Sequence, residues 1–260
     1  MIVYGINPVL EALRAGRVQR IRVARSGAGR GGSDRRMDQV LALARDLRVA
    51  VDRVDGEALD RAARGGVHQG VAADVEAPRD YTVAELVAAA APGPPLIVVL
   101  DGIEDPQNLG AILRTADGAG CTGVIRQARH AASLDGAAAK ASAGAVAHIR
   151  VATVVNIARA IEELKALGVW TIGLDGASNE MYDSVDLTLP TALVVGAEGT
   201  GLRRLVRERC DRLVAIPMRG SVGSLNVSVA AGVALFEAVR QRGAGVGRPG
   251  TPTAESARAG

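Results

Sequence analysis

Aromatic residues and cysteines are scarce in this chain of 260 residues. Only 2% of the residues are Phe, Trp or Tyr, although 48% are hydrophobic. The core must therefore be built from Ala, Val, Leu and Ile, and a nucleic-acid surface would depend on arginine instead of stacked aromatic rings. The two cysteines, Cys121 and Cys210, are far apart and form no CxxC pair. This predicts a reducing compartment and no structural disulfide.

Signals for metal sites and for membrane insertion are also missing. The three histidines are scattered and show no metal-ligand spacing, so we expect no metal. The N-terminal segment has neither a basic start nor a cleavable apolar run, and no apolar stretch is long enough to span a bilayer. We therefore expect a cytoplasmic protein that does not insert into a membrane.

The net charge of +3 is small and unevenly distributed. Residues 1–76 contain 13 basic and 10 acidic residues, whereas residues 77–243 contain 16 and 17. The excess of positive charge in the N-terminal third indicates a polyanionic partner there. Ordinary solvated surface charge explains the same numbers equally well.

Residues 1–76 alternate helices and strands and are predicted to form a small α/β domain. The helices are predicted at Pro8–Ala15, Met37–Leu47 and Gly56–Ala63, and the strands at Ile21–Ala24, Val49–Val54 and Val71–Val75. The basic, glycine-rich segment from Arg25 to Arg36 is expected to be a loop, suited to phosphate contact or simply to solvation. Proline and polar residues between Glu76 and Thr82 predict a linker, so residues 77–94 hold the linker and a first helix from Val83 to Ala91.

Residues 95–242 are predicted to form a second, larger α/β domain. Its first strand, Leu96–Asp101, is a continuous apolar run typical of a buried parallel strand. Further strands are predicted at Gly123–Ile125, Val169–Leu174, Ala192–Gly196 and Leu213–Ile216, separated by helices such as Ile157–Leu167. This alternation predicts a mostly parallel sheet flanked by helices. Residues 243–260 have no apolar period and are predicted to be disordered.

The first stretch with chemical character follows the buried strand, from Asp101 to Gly120. It is predicted to lie at the carboxyl edge of the sheet, where open α/β folds bind ligands. Asn108 and Arg114 are polar within an otherwise apolar helix start, and the planar donors of an arginine suit phosphate. A surface arginine on an amphipathic helix is the alternative interpretation.

The second stretch, Leu193–Arg204, is predicted to be a strand, a glycine turn carrying Glu198, and a helix. It lacks the third glycine of a dinucleotide fingerprint, because Arg204 stands at that position. Neither of the two lysines, Lys140 and Lys165, lies in a Walker A context. Nucleotide sites of these two kinds are therefore not expected.

The third stretch, Ile216–Arg240, is predicted to be a strand end, a glycine loop and a helix. Pro217 ends the strand, and Gly220 and Gly223 would supply backbone angles that are forbidden to other residues. Backbone amides at the helix start, flanked by Ser224 and Asn226, could hold a polar ligand group. An ordinary strand-loop-helix connection is the alternative.

The helix of this third stretch is predicted to begin after Ser224 as its N-cap. Leu225, Val229, Val233 and Phe236 recur at helical spacing and are expected to face the core. Gly232 and neighbouring alanines form a second face of small residues, which predicts close packing against a partner.

Together the three stretches resemble the SpoU, or TrmH-type, RNA 2′-O-ribose methyltransferases. The three motifs of that family correspond to NLGAILRTA from Asn108, VVGAEGTGL from Val194 and IPMRGSVGSLNVSVA from Ile216. The segments YGINPVLEAL and VHQGVAA, from Tyr4 and Val67, resemble the N-terminal domain of members that modify 23S rRNA, a domain similar to ribosomal protein L30e. The resemblance extends to about Arg240.

One segment within the matched region differs from the family pattern. From Arg126 to Ala139 the chain reads RQARHAASLDGAAA, where the family has an apolar, proline-containing loop. The family pattern resumes with KASAGA from Lys140. The resemblance therefore implies nothing about substrate contacts in this segment.

The resemblance implies a fold and an activity that composition and periodicity do not reveal. It implies a C-terminal SPOUT domain with a deep trefoil knot, an L30e-like domain that binds the substrate, and a homodimer. The implied reaction is transfer of a methyl group from S-adenosylmethionine to a ribose 2′-oxygen of RNA, at a guanosine in the peptidyl-transferase P loop of 23S rRNA. Alternatives are a tRNA or another rRNA site, or an RNA-binding protein without catalysis.

The resemblance also implies the roles of individual residues. Those that would bind the cofactor are Gly196, Gly201, Ile216 and Leu225. Those that would serve catalysis are Asn108, Arg114, Glu198, Ser224 and Asn226. An arginine gives up a proton only at a high cost, so we expect Arg114 to grip a phosphate and polarise the 2′-hydroxyl. The proton acceptor stays open among Arg114, Glu198 and water.

Overall fold

The computed structural model describes residues 1–25, 33–76, 79–134, 136–142 and 144–243. The described chain forms two sheets in sequence order, one of four strands and one of six. The basic segment 26–32, part of the predicted loop, lies outside the described residues. The tail predicted to be disordered also lies outside them, except for its first residue, Gly243. The segment 77–94, predicted to be a linker and a first helix, lies between the last strand of the first sheet and the first strand of the second.

The four-stranded sheet has the order β1-β4-β2-β3, with β2 and β3 parallel and the other pairs antiparallel. Its elements are β1 (Ile2–Tyr4), α1 (Ile6–Arg14), β2 (Val18–Ala24), α2 (Ser33–Asp46), β3 (Ala50–Val54), α3 (Gly56–Ala63) and β4 (Val71–Val75). The strand β1 was not expected, because three residues are too few to show a period; it forms by pairing with β4. Helix α2 begins at Ser33, so Arg35 and Arg36 lie in its first turns and not in the predicted loop.

The six-stranded sheet has the order β10-β8-β9-β5-β6-β7, and all of its strands are parallel. Its strands are β5 (Leu96–Asp101), β6 (Gly123–Gln127), β7 (Val151–Val154), β8 (Trp170–Leu174), β9 (Thr191–Gly196) and β10 (Arg212–Val214). Its helices are α4 (Val83–Ala88), α5 (Pro106–Gly118), α6 (Gly136–Ala141), α7 (Ile157–Ala166), α8 (Arg204–Arg209) and α9 (Val227–Gly243). The short strand β7 was not expected, and β10 ends two residues earlier than predicted.

Helices cover both faces of this sheet, which explains the continuous apolar runs of its central strands. Every residue of β5 and of β9 is buried. On one face, Val98 packs in a cluster with residues of α5 and α9 such as Ile112 and Leu235. On the other face, Val99 packs with residues of α4 and α7 such as Ile161.

The segment that departs from the family pattern joins the two halves of the molecule. Helix α6 packs tightly on α5, since a Cβ added to Gly110 would lie 2.4 Å from Ala141 Cβ. On its other side, Ala139 is buried in the apolar cluster of the N-terminal domain. Arg17 Nη1 donates to the carbonyl of Val146 at 3.3 Å, across the same interface. The small side chains of α6 are therefore explained by close packing on two sides.

The start of α9 differs from the sequence-based expectation. The helix begins at Val227, and the residue that caps it is Asn226, whose Oδ1 accepts from Ser228 N at 3.0 Å. Ser224 lies in the preceding loop and does not cap the helix. Gly220 and Gly223 are not among the glycines with positive φ, so the expectation of unusual backbone angles there is wrong.

The face of α9 that was predicted to be buried is partly exposed, and most of its alanines are buried instead. Val229 and Phe236 are 50% and 52% exposed, whereas three of the four alanines after Val229 and one leucine are buried: Ala231, Ala234, Leu235 and Ala238. Both faces are apolar, so periodicity alone cannot tell them apart. Close packing of α9 on α5 decides the orientation, because small residues allow two helix backbones to approach.

Both cysteines are free thiols within this fold. Burial raises the pKa of Cys121 and of Cys210 to about 12. Within the described ranges, no helix is long and apolar enough to cross a membrane. Among those same residues, no group of His, Cys, Asp and Glu side chains is arranged to hold a metal ion.

Candidate functional site

The three sequence motifs meet at the carboxyl edge of the six-stranded sheet. The loop after β5 leads into α5, whose start is capped by Asp105: its carboxylate accepts from the N–H groups of Gln107 and Asn108 at 3.0 and 3.3 Å. Pro106 occupies the first helical turn, where a missing N–H costs nothing. The cap thus holds Asn108, which is only 7% exposed, at the edge of the sheet.

A chain of hydrogen bonds connects the three motifs. The N–H of Ser228 donates to Asn226 Oδ1 at 3.0 Å, which leaves the Asn226 amide to donate to Asn108 Oδ1 at 2.9 Å. The Asn108 amide in turn donates to Glu198 Oε2 at 3.0 Å. Asn226 Oδ1 accepts from Ser228, and Asn108 Oδ1 accepts from Asn226. These two bonds determine which side of each asparagine amide carries the oxygen. Three of the predicted catalytic residues therefore form one connected unit.

The loop that carries Glu198 is shaped by glycine. Ala197 and Gly201 exchange two backbone hydrogen bonds of 3.1 and 2.8 Å, and Gly199 and Gly201 have positive φ. A Cβ added to Gly196 would lie 2.2 Å from the carbonyl carbon of Gly201. Gly196 is therefore required by the approach of the chain's own backbone.

An ion pair between a buried carboxylate and a half-exposed arginine anchors the same loop to β5. Asp101 is 1% exposed and accepts from Arg203 twice, from its backbone N–H at 2.9 Å and from Nε at 2.6 Å. Arg203 Nη2 also donates to Gln127 Oε1 at 2.7 Å, at the end of β6. Sequence reasoning missed these positioning residues. A charged residue ending a fully apolar strand, as Asp101 does, was the signal that could have identified them.

A cleft of about 520 Å³ lies on one side of the Glu198 loop. Its lining includes all four predicted cofactor residues together with Glu198 and Ser224: Gly196, Gly201, Ile216 and Leu225. The backbone of residues 216–225 forms one wall and makes no hydrogen bond with another described residue. Free backbone donors and acceptors are thus available to a ligand in this cleft.

A second cavity of about 330 Å³ lies on the other side of the Glu198 loop. It is lined by Asn108, Glu198, Thr200 and the loop that follows β5. Glu198 therefore stands in the wall between the two cavities. A group transferred from a ligand in the first cavity to a ligand in the second would pass beside this carboxylate.

Arg114 is the one predicted catalytic residue that stands apart. It lies on the exposed side of α5 and lines neither of the two cavities. Within the part of the chain that the structure describes, it has no hydrogen-bond or ion-pair partner. An unpaired, exposed guanidinium is available to a phosphate or to a second molecule.

The close approach at Gly196 leads to a testable expectation for stability. Replacement of Gly196 by alanine should force the 197–203 loop away from β9 and lower the free energy of unfolding by about 2 kcal/mol or more. Thermal unfolding would measure this. Gly118→Ala is the matched control, because an added Cβ there meets nothing within 4 Å. Equal melting temperatures for the two variants would contradict the role assigned to Gly196.

Comparison with known proteins identifies relatives over nearly the whole chain. A protein of Pseudomonas syringae named 23S rRNA (guanosine-2′-O-)-methyltransferase RlmB is 46% identical over 245 residues, which cover 93% of this chain and 96% of that protein. A Bacillus subtilis protein, named putative TrmH family tRNA/rRNA methyltransferase YacO, is 40% identical over 245 residues, 92% of this chain and 95% of that one.

Solved structures show the same architecture. The SpoU methyltransferase AviRb from Streptomyces viridochromogenes, in complex with the cofactor AdoMet, has a TM-score of 0.75 and 28% identity, covering 93% of this chain and 90% of its own. An AdoMet-bound rRNA methyltransferase from Sinorhizobium meliloti has a TM-score of 0.74 and 27% identity, covering 92% and 86%.

Two family models also match the chain. Residues 2–81 match the model for RNA 2′-O ribose methyltransferase substrate binding, and residues 95–236 match the SpoU rRNA methylase family. The second match spans more than half of the chain and contains all three motifs that meet at the sheet edge. The chain belongs to the SpoU rRNA methylase family.

Proposed function

We propose that this protein transfers a methyl group from S-adenosylmethionine to the 2′-oxygen of a guanosine ribose in 23S rRNA, at the P loop of the peptidyl-transferase centre. The observation that carries the proposal is the hydrogen-bonded unit of Asn108, Glu198 and Asn226, placed between two cavities. The RlmB relatives support the choice of 23S rRNA guanosine. The name of the Bacillus subtilis relative keeps tRNA as an alternative.

The larger cleft fits the cofactor in size and chemistry. Its volume of about 520 Å³ lies within the range of small-molecule sites. The free backbone groups of residues 216–225 would bind the adenine and ribose, and the side chains of Ile216 and Leu225 supply apolar contact. Ser224 lines this cleft, and Glu198 lines both the cleft and the second cavity. When bound, S-adenosylmethionine supplies an electrophilic methyl group.

The second cavity would then hold the ribose that receives the methyl group. The amides of Asn108 and Asn226 hold the carboxylate of Glu198 beside it, with Asn226 Nδ2 at 3.5 Å from Glu198 Oε2. A carboxylate held in this way can accept a hydrogen bond from the 2′-hydroxyl and so orient its oxygen. We assign Arg114 to the phosphate next to the target nucleotide.

The N-terminal domain would supply most of the affinity for RNA. We propose residues 1–76 as the substrate domain, 77–94 as linker and first helix, 95–242 as the methyltransferase domain with the trefoil knot, and 243–260 as a tail. Arg35 and Arg36 are exposed and carry part of the positive charge of the first domain. We propose a cytoplasmic location, because the proposed substrate is ribosomal RNA. A purely RNA-binding role would not need the connected unit at the sheet edge.

Methyl transfer to ribosomal RNA tests the proposal directly. The protein would be incubated with labelled S-adenosylmethionine and unmodified 23S rRNA, with tRNA and 16S rRNA as competing substrates. We expect label in 23S rRNA at a single guanosine, located by mapping the modified ribose. Label only in tRNA would select the alternative substrate, and cofactor binding without transfer to any RNA would overturn the proposal.

We also propose that the protein acts as a homodimer through the outer face of α9. Val229, Gly232 and Phe236 follow one another at helical spacing, and this apolar stripe is exposed in the chain at Val229 and Phe236. A Cβ added to Gly232 would lie 3.5 Å from Thr115, so the stripe adjoins α5 next to Arg114. A second copy seated there would meet Arg114. We propose that this contact completes the site.

Replacement of Phe236 by aspartate should give a monomer. The buried charge would oppose association and would leave the fold intact, because Phe236 is half exposed in the single chain. Light scattering at micromolar concentration would measure the mass. Leu189→Asp, at another exposed apolar site, is the control and should leave the dimer intact. A wild-type monomer that methylates RNA at full rate would contradict the proposal.

A further inference from the structure

A third cavity opens at the same carboxyl edge, beyond the strands β6 and β7. Its volume is about 340 Å³, and the side chains that define its character are Gln127, Val155, Asn156, Arg203 and Leu205. It belongs neither to the cofactor cleft nor to the cavity assigned to the target ribose. Arg203 connects it to them, because this residue anchors the Glu198 loop.

Two large apolar side chains border this cavity and are exposed to solvent. Val155 is 85% exposed and Leu205 is 54% exposed. Neither belongs to a core cluster of the described chain. Exposed apolar groups that share a concave surface with polar groups mark a ligand site more often than isolated ones do.

The polar groups of the cavity offer hydrogen-bond donors with little net charge. Gln127 is 8% exposed, and its Oε1 accepts from Arg203, which leaves Nε2 as a free donor with no partner among the described residues. The charge of Arg203 is balanced by Asp101, and Arg204 Nη1 pairs with Glu208 at 2.9 Å. Such a surface suits a neutral ligand with acceptor atoms better than a phosphate.

A nucleobase has this combination of properties. Its flat face can stack on aliphatic side chains and on the guanidinium planes of Arg203 and Arg204, and its edge carries acceptors. Stacking on arginine also fits a chain with few aromatic residues. The cavity lies about two strands, or about 10 Å, from the ribose cavity along the sheet edge. A neighbouring nucleotide of the same RNA strand can cover that distance.

We propose that this cavity is a subsite for an unpaired base close to the methylated nucleotide, held by Leu205, Val155 and the amide of Gln127. The inference rests on the proposed RNA methylation and deepens it. Binding of a flanking base in this subsite would fix which nucleotide of the RNA strand lies beside Glu198. The subsite would therefore select the nucleotide that is modified.

The test combines one protein variant with abasic RNA substrates. Leu205→Asp replaces the exposed apolar wall with a charge that repels RNA, and Leu167→Asp is the matched control, 42% exposed at the opposite edge of the sheet. The RNA is a 23S rRNA fragment containing the mapped guanosine, in which each flanking nucleotide in turn is replaced by an abasic ribose. Initial rates of methyl transfer and the Kd of S-adenosylmethionine are measured.

For wild-type protein, one abasic position should raise the KM for RNA about tenfold, the typical effect of losing one stacked base. Leu205→Asp should raise the KM of the intact fragment by a similar factor and should be insensitive to that abasic position. Its Kd for S-adenosylmethionine should stay within about twofold of wild type, as should every value for Leu167→Asp. Val155→Asp should reproduce the behaviour of Leu205→Asp.

Two results would overturn the subsite. One is a KM for RNA that is unchanged in both Leu205→Asp and Val155→Asp. The other is that every abasic position raises the KM of Leu205→Asp by the same factor as the KM of the wild-type protein. In both cases, wild-type methylation of the intact fragment would show that the proposed function holds without the subsite. Absence of wild-type methylation would reject the proposed function itself.

Discussion

Arg114→Ala should lower methyl transfer by about a hundred- to a thousandfold and leave the Kd of S-adenosylmethionine within a few fold. The effect on turnover is that expected for the loss of one charged donor at a reacting centre. Cofactor affinity should persist because Arg114 does not line the cleft of about 520 Å³. Single-turnover methylation and calorimetry would measure the two quantities.

Two further variants sharpen this expectation. Arg114→Lys retains the charge but loses the planar pair of donors, so a bidentate grip on phosphate should fail and activity should stay low. Arg209→Ala is the control: it removes an exposed pair with Glu162, and turnover should not change. Near wild-type turnover of Arg114→Lys, with a shifted pH profile, would favour a direct base at this position over the grip.

Asn226→Asp should lower methyl transfer by at least about a hundredfold, because it breaks the hydrogen bond by which Asn226 joins Asn108 in the connected unit. The substitution is isosteric and replaces a donor by a carboxylate that faces Asn108 Oδ1 and lies near Glu198. The helix should persist, since an aspartate oxygen can still accept from Ser228 N. Thermal unfolding and initial rates, measured together, would separate the two effects.

Ser228→Ala is the graded control for this variant. It removes the Ser228 hydroxyl, which lies 2.6 Å from Asn226 Oδ1, and retains the backbone N–H that also fixes the amide. The loss of activity should therefore be smaller than for Asn226→Asp. Equal activity of Asn226→Asp and wild type would show that the connected unit has no part in the reaction.

The family and the positions of its motifs were predictable because each motif is a contiguous segment of the sequence. The run Leu96–Asp101 predicted a buried parallel strand, and the glycine turn around Glu198 predicted the end of another. The resemblance then placed Asn108, Glu198 and Asn226 together, and the structure shows these three in one hydrogen-bonded unit. Arg114 came from the same motif, yet it points away from the unit in the single chain.

Other features were not predictable because they depend on packing between distant segments. Gly196 lines the cleft proposed for the cofactor, but the close approach of the chain's own backbone, which only a glycine permits there, could not be read from the sequence. The face of α9 was assigned incorrectly because both of its faces are apolar, and only contact with α5 decides which one is buried. The strand β1 exists because β4 is beside it, and three residues carry no period of their own.

The sequence by itself determined the three motifs and, apart from α6 and β7, the order of helices and strands in the larger domain, since local patterning and motif spacing suffice for both. Only the tertiary structure decided how residues about a hundred positions apart meet: Asp101 with Arg203, and Asn108 with Asn226 and with Glu198. It also decided that the alanine-rich helix α6 fills the space between the two halves. The physical reason is that hydrogen bonds and close packing are satisfied in three dimensions, where separation along the chain carries no information about contact.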